Sequence, residues 1–521
     1  MSTTIDTIAG IVRVHGRARG DAPALEYQGT TTTYAELDDA SNRVANAMAA
    51  LGVTAGERVA LLDKNAPSSL ELLFGLNKLG AVLVPVNWRL AAEEIAQILH
   101  DARPRVLVVG SEFFATVEAI ETDVAMVSTI LAIGSHPRWP SYESARNRAA
   151  ADDPGHVGHD DDVVVQLYTS GTTGAPKGVM ITNRNLFAGH LRMAGPWNID
   201  ASSVSLTAMP LFHIGGVGWA LTGMVEGCTT VLVREFDAEV VLAAISEYGV
   251  TSTLLVPAMI QRLLAAPNIA TVDFTSLQTL VYSASPVSDT LLLDAMRTFG
   301  CDFVQLYGTT ETTGVIVQLD AADHDPERRP HLLRSCGKAL PGVEVRLVDP
   351  QTGDAVVPGA VGEVWTRSEQ NMAGYWGMEE ATSTAVTADG WYRTGDAAYE
   401  DAEGYLYLHD RLKDVVISGG ENVYPAEVEN VLARHPGVAD VAVIGVPDDR
   451  WGEAVKAVVV RSDTATVTEA DLIAFAREHL GGYKVPKSVD FTDVLPRNPS
   501  GKLLKRVIRE PYWRGRERRI S

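Results

Sequence analysis

Between Tyr168 and Val179 the chain reads YTSGTTGAPKGV, rich in hydroxyls and glycines, with one lysine and no bulky apolar side chain after the tyrosine until the final valine. It leaves the apolar stretch VVVQL, which reads as a buried strand. Gly171, Gly174 and Gly178 permit positive φ and close backbone approach. Thr169, Ser170, Thr172 and Thr173 set hydroxyls beside main-chain N–H groups, and Lys177 adds a point charge. Such a loop suits phosphate oxygens. It is not the pattern GxxxxGK[ST], because Lys177 is followed by Gly178.

Further stretches carry chemistry of their own. YGTTETTG, from Tyr307 to Gly314, sets the carboxylate of Glu311 among the hydroxyls of Thr309, Thr310 and Thr312. A hard cation such as Mg²⁺ takes one or two carboxylates together with phosphate oxygens. YSASPVS leaves a strand end with Ser283, Ala284 and Ser285, residues small enough for backbone atoms to approach a flat ring. Asp396, in the triplet TGD, is an acceptor-only group suited to a pair of hydroxyls, and Arg411 opens DRLKD downstream. Lys502 follows a loop of Pro, Asn, Ser and Gly in PRNPSGKLLKR. In PLFHIGGVGW, His213 precedes Gly215, Gly216 and Gly218, with no acidic residue in the segment. A satisfied core histidine is the alternative for His213.

YTSGTTGAPKGV resembles the signature loop of the adenylate-forming superfamily, which holds acyl-CoA synthetases, peptide-synthetase adenylation domains and firefly-type luciferases. The remaining motifs follow in that family's order, so the resemblance spans nearly the whole chain. It implies that the glycine loop is a polyphosphate clamp and that Glu311 holds the Mg²⁺ of Mg-ATP. Thr310 would contact the α-phosphate, Tyr307 would stack on the adenine beside Gly308, and Asp396 would contact the ribose and Arg411 the ribose or phosphate. Ser283 to Pro286 would form the wall facing adenine and the acyl carboxylate, although the family more often has glycine at Ser283 or Ala284. Lys413 occupies the hinge position of DRLKDVVISGGENVYPAEVE, and Gly419 and Gly420 would let the pantetheine arm of CoA pass. Lys502 matches the catalytic lysine, a mobile cation between two anions in the transition state. His213, Gly215 and Gly216 would sit at the mouth of the acyl pocket, the glycines leaving volume for a chain. NWRLAAEEI resembles a segment common in fatty and aromatic acyl-CoA synthetases, though a capped helix start explains it equally well.

The elements that must position these residues alternate in type. Thr33 with Glu36 reads as a capping box, and Gly52 closes the helix they start. RVALL, a helix around LELLFGLNKLGA, and VLVPV follow, and the same rhythm returns at TTVLV, STLLV and QTLVYS. Helices between short apolar strands imply parallel βαβ units, hence an α/β fold. Beyond about Ser335, VEVRLVD, GEVWTRS and GYLYLHD predict an antiparallel sheet or a small β-barrel-like subdomain. A compact α+β unit closes the chain. The expected division is a large N-terminal domain, 1–411, and a smaller mobile C-terminal domain, 412–521.

Composition narrows the partners. The 521 residues carry 44 basic and 66 acidic side chains, a net charge of -22, which disfavours nucleic acid and anionic lipid. Three scattered cysteines, without CxxC, suit a reducing cytoplasm and argue against a structural zinc. No secretory signal and no transmembrane run is legible, so any membrane contact is peripheral. A homodimer is allowed. The expected activity is an ATP-, Mg²⁺- and CoA-dependent acyl-CoA ligase for medium- to long-chain fatty acids. A stand-alone enzyme loading a carrier protein, a ligase for aryl or other acids, and a non-catalytic binder of acyl-adenylate are the alternatives.

Overall fold

A computed structural model describes residues 5–170, 176–285, 287–350, 352–411, 414–418, 421–448, 452–462, 466–497 and 503–514. The helix Tyr34–Ala50 starts at the expected box: Thr33 Oγ1 accepts from the Glu36 N–H, and the Glu36 carboxylate accepts from the Thr33 N–H. The helix Pro67–Leu79 begins three residues before the apolar run, because Pro67 has its φ already set and lacks the N–H that a first turn would leave unpaired. Gly80, in the left-handed region at φ 75°, ends it.

Seven strands form the sheet that carries the phosphate-loop segment. In order they are Gly374–Tyr375, Pro176–Thr182, Val163–Ser170, Val82–Pro85, Arg58–Leu62, Val106–Gly110 and Thr129–Ile133. The last five are mutually parallel, whereas Val163–Ser170 and Pro176–Thr182 make an antiparallel hairpin. A nine-stranded sheet runs Lys338–Ala339, Gly314–Leu319, Asp302–Thr309, Thr279–Tyr282, Ser252–Leu255, Val204–Thr207, Thr229–Leu232, Pro23–Tyr27 and Thr30–Thr33. Its inner strands are parallel and nearly all buried, as helices packed over parallel strands require. The strand Pro23–Tyr27 enters this sheet beside Thr229–Leu232, so the start of the chain completes a sheet built mostly from its middle.

Asn65 fastens the two sheets. Its side-chain amide donates to the carbonyls of Met209 and Val233, and its Oδ1 accepts from the Leu211 N–H, all three within 3.0 Å. A third sheet, Glu344–Val348, Gly362–Arg367, Tyr392–Glu400 and Leu406–Arg411, is antiparallel throughout, and its outer strands do not pair with each other among the described residues. The last sheet joins Val416–Ser418, Glu421–Val423, Val438–Asp448, Gly452–Arg461 and Ser488–Phe491, covered by the helices Pro425–Leu432, Glu469–His479 and Lys505–Trp513. Its two apolar clusters draw only on residues from Val416 onward. Among the described residues no helix is long and apolar enough to cross a membrane.

Candidate active site

The hairpin Val163–Ser170 and Pro176–Thr182 pairs Thr169 with Lys177 and Tyr168 with Gly178, so the lysine stands at the root of the glycine loop. Tyr168 anchors that root: its hydroxyl donates to Asp101 Oδ2 at 2.5 Å and accepts from the Gln166 amide at 2.9 Å. Gly171, Thr172, Thr173 and Gly174 lie outside the described residues, as do Lys413, Gly419, Gly420, Lys502 and the side chains of Ser170 and Arg411.

Lys177 and Glu311 converge on one aromatic ring. Lys177 Nζ stands 4.8 Å from the centroid of Tyr375, and the Tyr375 hydroxyl donates to Glu311 Oε1 at 3.0 Å. Glu311 lies in a single 3-10 turn, Thr310–Thr312, between the strands Asp302–Thr309 and Gly314–Leu319. Gly308 allows that turn to close, since a Cβ there would fall 1.6 Å from the Gly314 carbonyl oxygen. The segment 369–372 holds the turn from outside. The Met372 N–H donates to the Glu311 carbonyl, the Gln370 amide to the carbonyls of Thr312 and Val315, and the Asn185 amide to those of Glu369 and Asn371.

The donor set bears on the metal the sequence implies. Glu311 makes no ion pair among the described residues, and no group of three His, Cys, Asp or Glu there could hold a metal by itself. One carboxylate beside threonine hydroxyls fits a Mg²⁺ that keeps waters and takes its other ligands from a nucleotide. It does not fit a resident metal cage.

Asp396, on the strand Tyr392–Glu400, is buried and accepts from the Tyr307 hydroxyl at 2.9 Å. The ladder sets it opposite Arg411. Burial first, then the neighbouring carboxylate, push the Tyr307 phenol far up, so it remains a donor. The Tyr307 ring packs with Ile316, Val317 and Leu347. Tyr392, buried close to Glu311, is raised in the same way. Ala284 has φ 75°, a left-handed conformation that costs a residue with a Cβ and that glycine takes freely. This is the physical reason a glycine would suit the Ser283–Ser285 wall.

His213 caps the helix Ile214–Glu226 from outside. Its Nε2 is sealed from solvent and has no hydrogen-bond partner among the described residues. Burial, helped by Arg89, lowers its pKa to about 4, so the ring is neutral at physiological pH. Phe212 lies 4.5 Å from it, centroid to centroid, and Trp88 of NWRL meets Phe212 edge-on at 6.3 Å. NWRL therefore packs on the His213 loop, a contact its sequence did not disclose.

The expectation of open volume at the glycines needs correction. A Cβ on Gly216 would fall 2.1 Å from the Pro210 carbonyl oxygen, and one on Gly218 would meet the His190 ring at 3.1 Å. The chain's own atoms occupy that space. Beside Gly215 the nearest atom is Met209 Cε, at 3.5 Å. Behind Phe212, among Leu61, Leu73, Leu83, Val86, Leu211 and Val217, lies a cavity of about 20 Å³, room for about one water.

Residues 12–376 match the AMP-binding enzyme family, and 427–502 match the AMP-binding enzyme C-terminal domain. The chain belongs to the AMP-binding enzyme family. It is similar to the fatty acid–[acyl-carrier-protein] ligase ScoC of Streptomyces coeruleorubidus, 40% identical across 99% of this chain and 98% of that one. It is also similar to a feruloyl-CoA synthase of an Amycolatopsis species, 42% identical across 94% and 96%. ATP-bound MatB from Rhodopseudomonas palustris superposes with a TM-score of 0.87, at 31% identity across 97% of this chain and 99% of that one. The chain is thus an adenylate-forming acid–thiol ligase of this family, with ATP as substrate. Tyr375 and Tyr392 are the site residues that sequence reading missed. The only signal for either was adjacency: NMAGYWG and GWYRTGD flank recognised motifs without resembling a catalytic pattern.

Proposed function

We propose that this chain activates a fatty acid as its acyl-adenylate and passes the acyl group to the thiol of CoA. One acyl carboxylate oxygen attacks the α-phosphorus of ATP, and the bond to pyrophosphate breaks. The thiol sulfur then attacks the acyl carbonyl and AMP leaves. The observation that carries this reading is the convergence of Lys177, Tyr375 and Glu311, with the Asp396–Tyr307 pair on the neighbouring sheet. Asp396 would accept from the ribose hydroxyls. Lys177 would hold phosphate oxygens and Lys502 the two anions of the first step. A Mg²⁺ bound by Glu311 and the phosphates would neutralise charge on the leaving pyrophosphate. Rotation at Lys413 would then move the C-terminal domain, 412–521, so that Gly419 and Gly420 face the thiol.

The acid is assigned from the His213 mouth. Phe212 and Trp88 give it an apolar wall, and a neutral imidazole offers no counter-ion for an ammonium. Entry of a chain would require Phe212 to swing off the small cavity behind it. The similarity to ScoC across 99% of the chain supports a fatty acid, and it also favours a second reading in which the acceptor is a carrier protein.

A pyrophosphate-release panel tests both points. Dodecanoate should give a higher kcat/KM than ferulate or acetate, and a ferulate preference would overturn the acid assigned. Thioester formed with CoA, but not with a phosphopantetheinylated carrier protein, is the expected acceptor result; the converse would install the second reading.

A further inference from the structure

Lys177 and Glu311 are opposite charges that each touch Tyr375, and among the described residues neither belongs to an ion pair. An ammonium and a carboxylate that met would pair, and each would then be blunted toward phosphate or metal. The residue between them is Tyr375. Its ring face carries the ammonium at 4.8 Å, and its hydroxyl donates to Glu311 Oε1 at 3.0 Å, leaving Oε2 uncommitted to it. A cation over an aromatic face and a hydroxyl on a carboxylate are both favourable.

Tyr375 is itself tightly placed. The two-residue strand Gly374–Tyr375 runs antiparallel to Pro176–Thr182, with Tyr375 opposite Val179. Its N–H donates to Thr382 Oγ1, and the side chain is 6% exposed, so the ring has little freedom to turn away. A strand this short adds almost nothing to the sheet, whereas its position fixes one ring relative to two motifs.

We infer that Tyr375 is a positioning residue for adenylation: it keeps the cation of the phosphate loop and the metal-binding carboxylate apart and aimed before nucleotide arrives. The inference rests on the ATP-ligase reading above. Tyr375→Phe keeps the ring face beside Lys177 and removes the hydroxyl that donates to Glu311.

The test is binding, not turnover. Titration calorimetry with the α,β-methylene analogue of ATP is run on wild type, Tyr375→Phe, Glu311→Gln and the double variant, in excess Mg²⁺ and in EDTA. Tyr375→Phe should weaken binding roughly tenfold in Mg²⁺, the loss of one hydrogen bond to a charged group, and leave binding in EDTA unchanged. In the Glu311→Gln background, Tyr375→Phe should have no further effect on the Mg²⁺ increment. An equal loss in Mg²⁺ and EDTA would assign Tyr375 a merely structural role and overturn the inference, as would wild-type behaviour of Tyr375→Phe in both. If wild type itself binds the analogue no better with Mg²⁺ than without, the ATP-ligase reading falls and takes the inference with it.

Discussion

Asp396 is a carboxylate in a buried setting that accepts from Tyr307, a phenol which burial keeps protonated. That bond orients the carboxylate, which is what an acceptor for two hydroxyls requires. Asp396→Ala is expected to raise the KM for ATP roughly 10- to 100-fold, the range for hydrogen bonds to a charged group, with a smaller change in the thioester step from synthetic acyl-AMP. Steady-state kinetics of the two half-reactions checks this, and an unchanged KM would remove Asp396 from the nucleotide site. Glu311, Lys177 and Asp396 could be proposed from sequence because each sits in a local motif whose chemistry can be read without its neighbours in space. Tyr375 was not legible, because its role depends on strand pairing between Gly374–Tyr375 and Pro176–Thr182, a long-range fact. The glycines of GGVG misled for a related reason. A missing Cβ creates room only if nothing else fills it, and Pro210 and His190 do.

Elements were read well where local rules decide them. The capping box at Thr33 and the left-handed Gly52 are set by residues within a few positions, and both stand where those rules put them. Sheet order is decided by packing, so alternation of strands and helices implied parallel sheets without saying that Pro23–Tyr27 joins the strand at Thr229–Leu232. Asn65 has the same character. No motif marks it, yet its side chain closes two hydrogen bonds to the loop that leads into His213 and one to Val233, just beyond the strand Thr229–Leu232. Asn65→Ala leaves two carbonyls and one N–H unsatisfied in a buried joint, so stability should fall by about 2–4 kcal/mol. Asn65→Asp, which sets a buried carboxylate against the same two carbonyls, should recover none of that. Chemical denaturation measures both, and an alanine variant as stable as wild type would show that the sheets hold together without this joint.

At the scale of the whole molecule, the large α/β part and the α+β unit that closes the chain have separate apolar clusters. Two bodies are also what the chemistry asks for, because charge neutralisation at phosphorus and thiol attack at the acyl carbon need different surroundings at one site. The most direct measurement is acid-dependent exchange of labelled pyrophosphate into ATP, with no thiol present, for wild type and Lys502→Ala. Wild type should exchange only when acid and Mg²⁺ are added, and Lys502→Ala should lower the rate on the order of 10²–10³. No exchange with any acid, or exchange undiminished in Lys502→Ala, would contradict adenylation at this site by a cation delivered from the C-terminal domain.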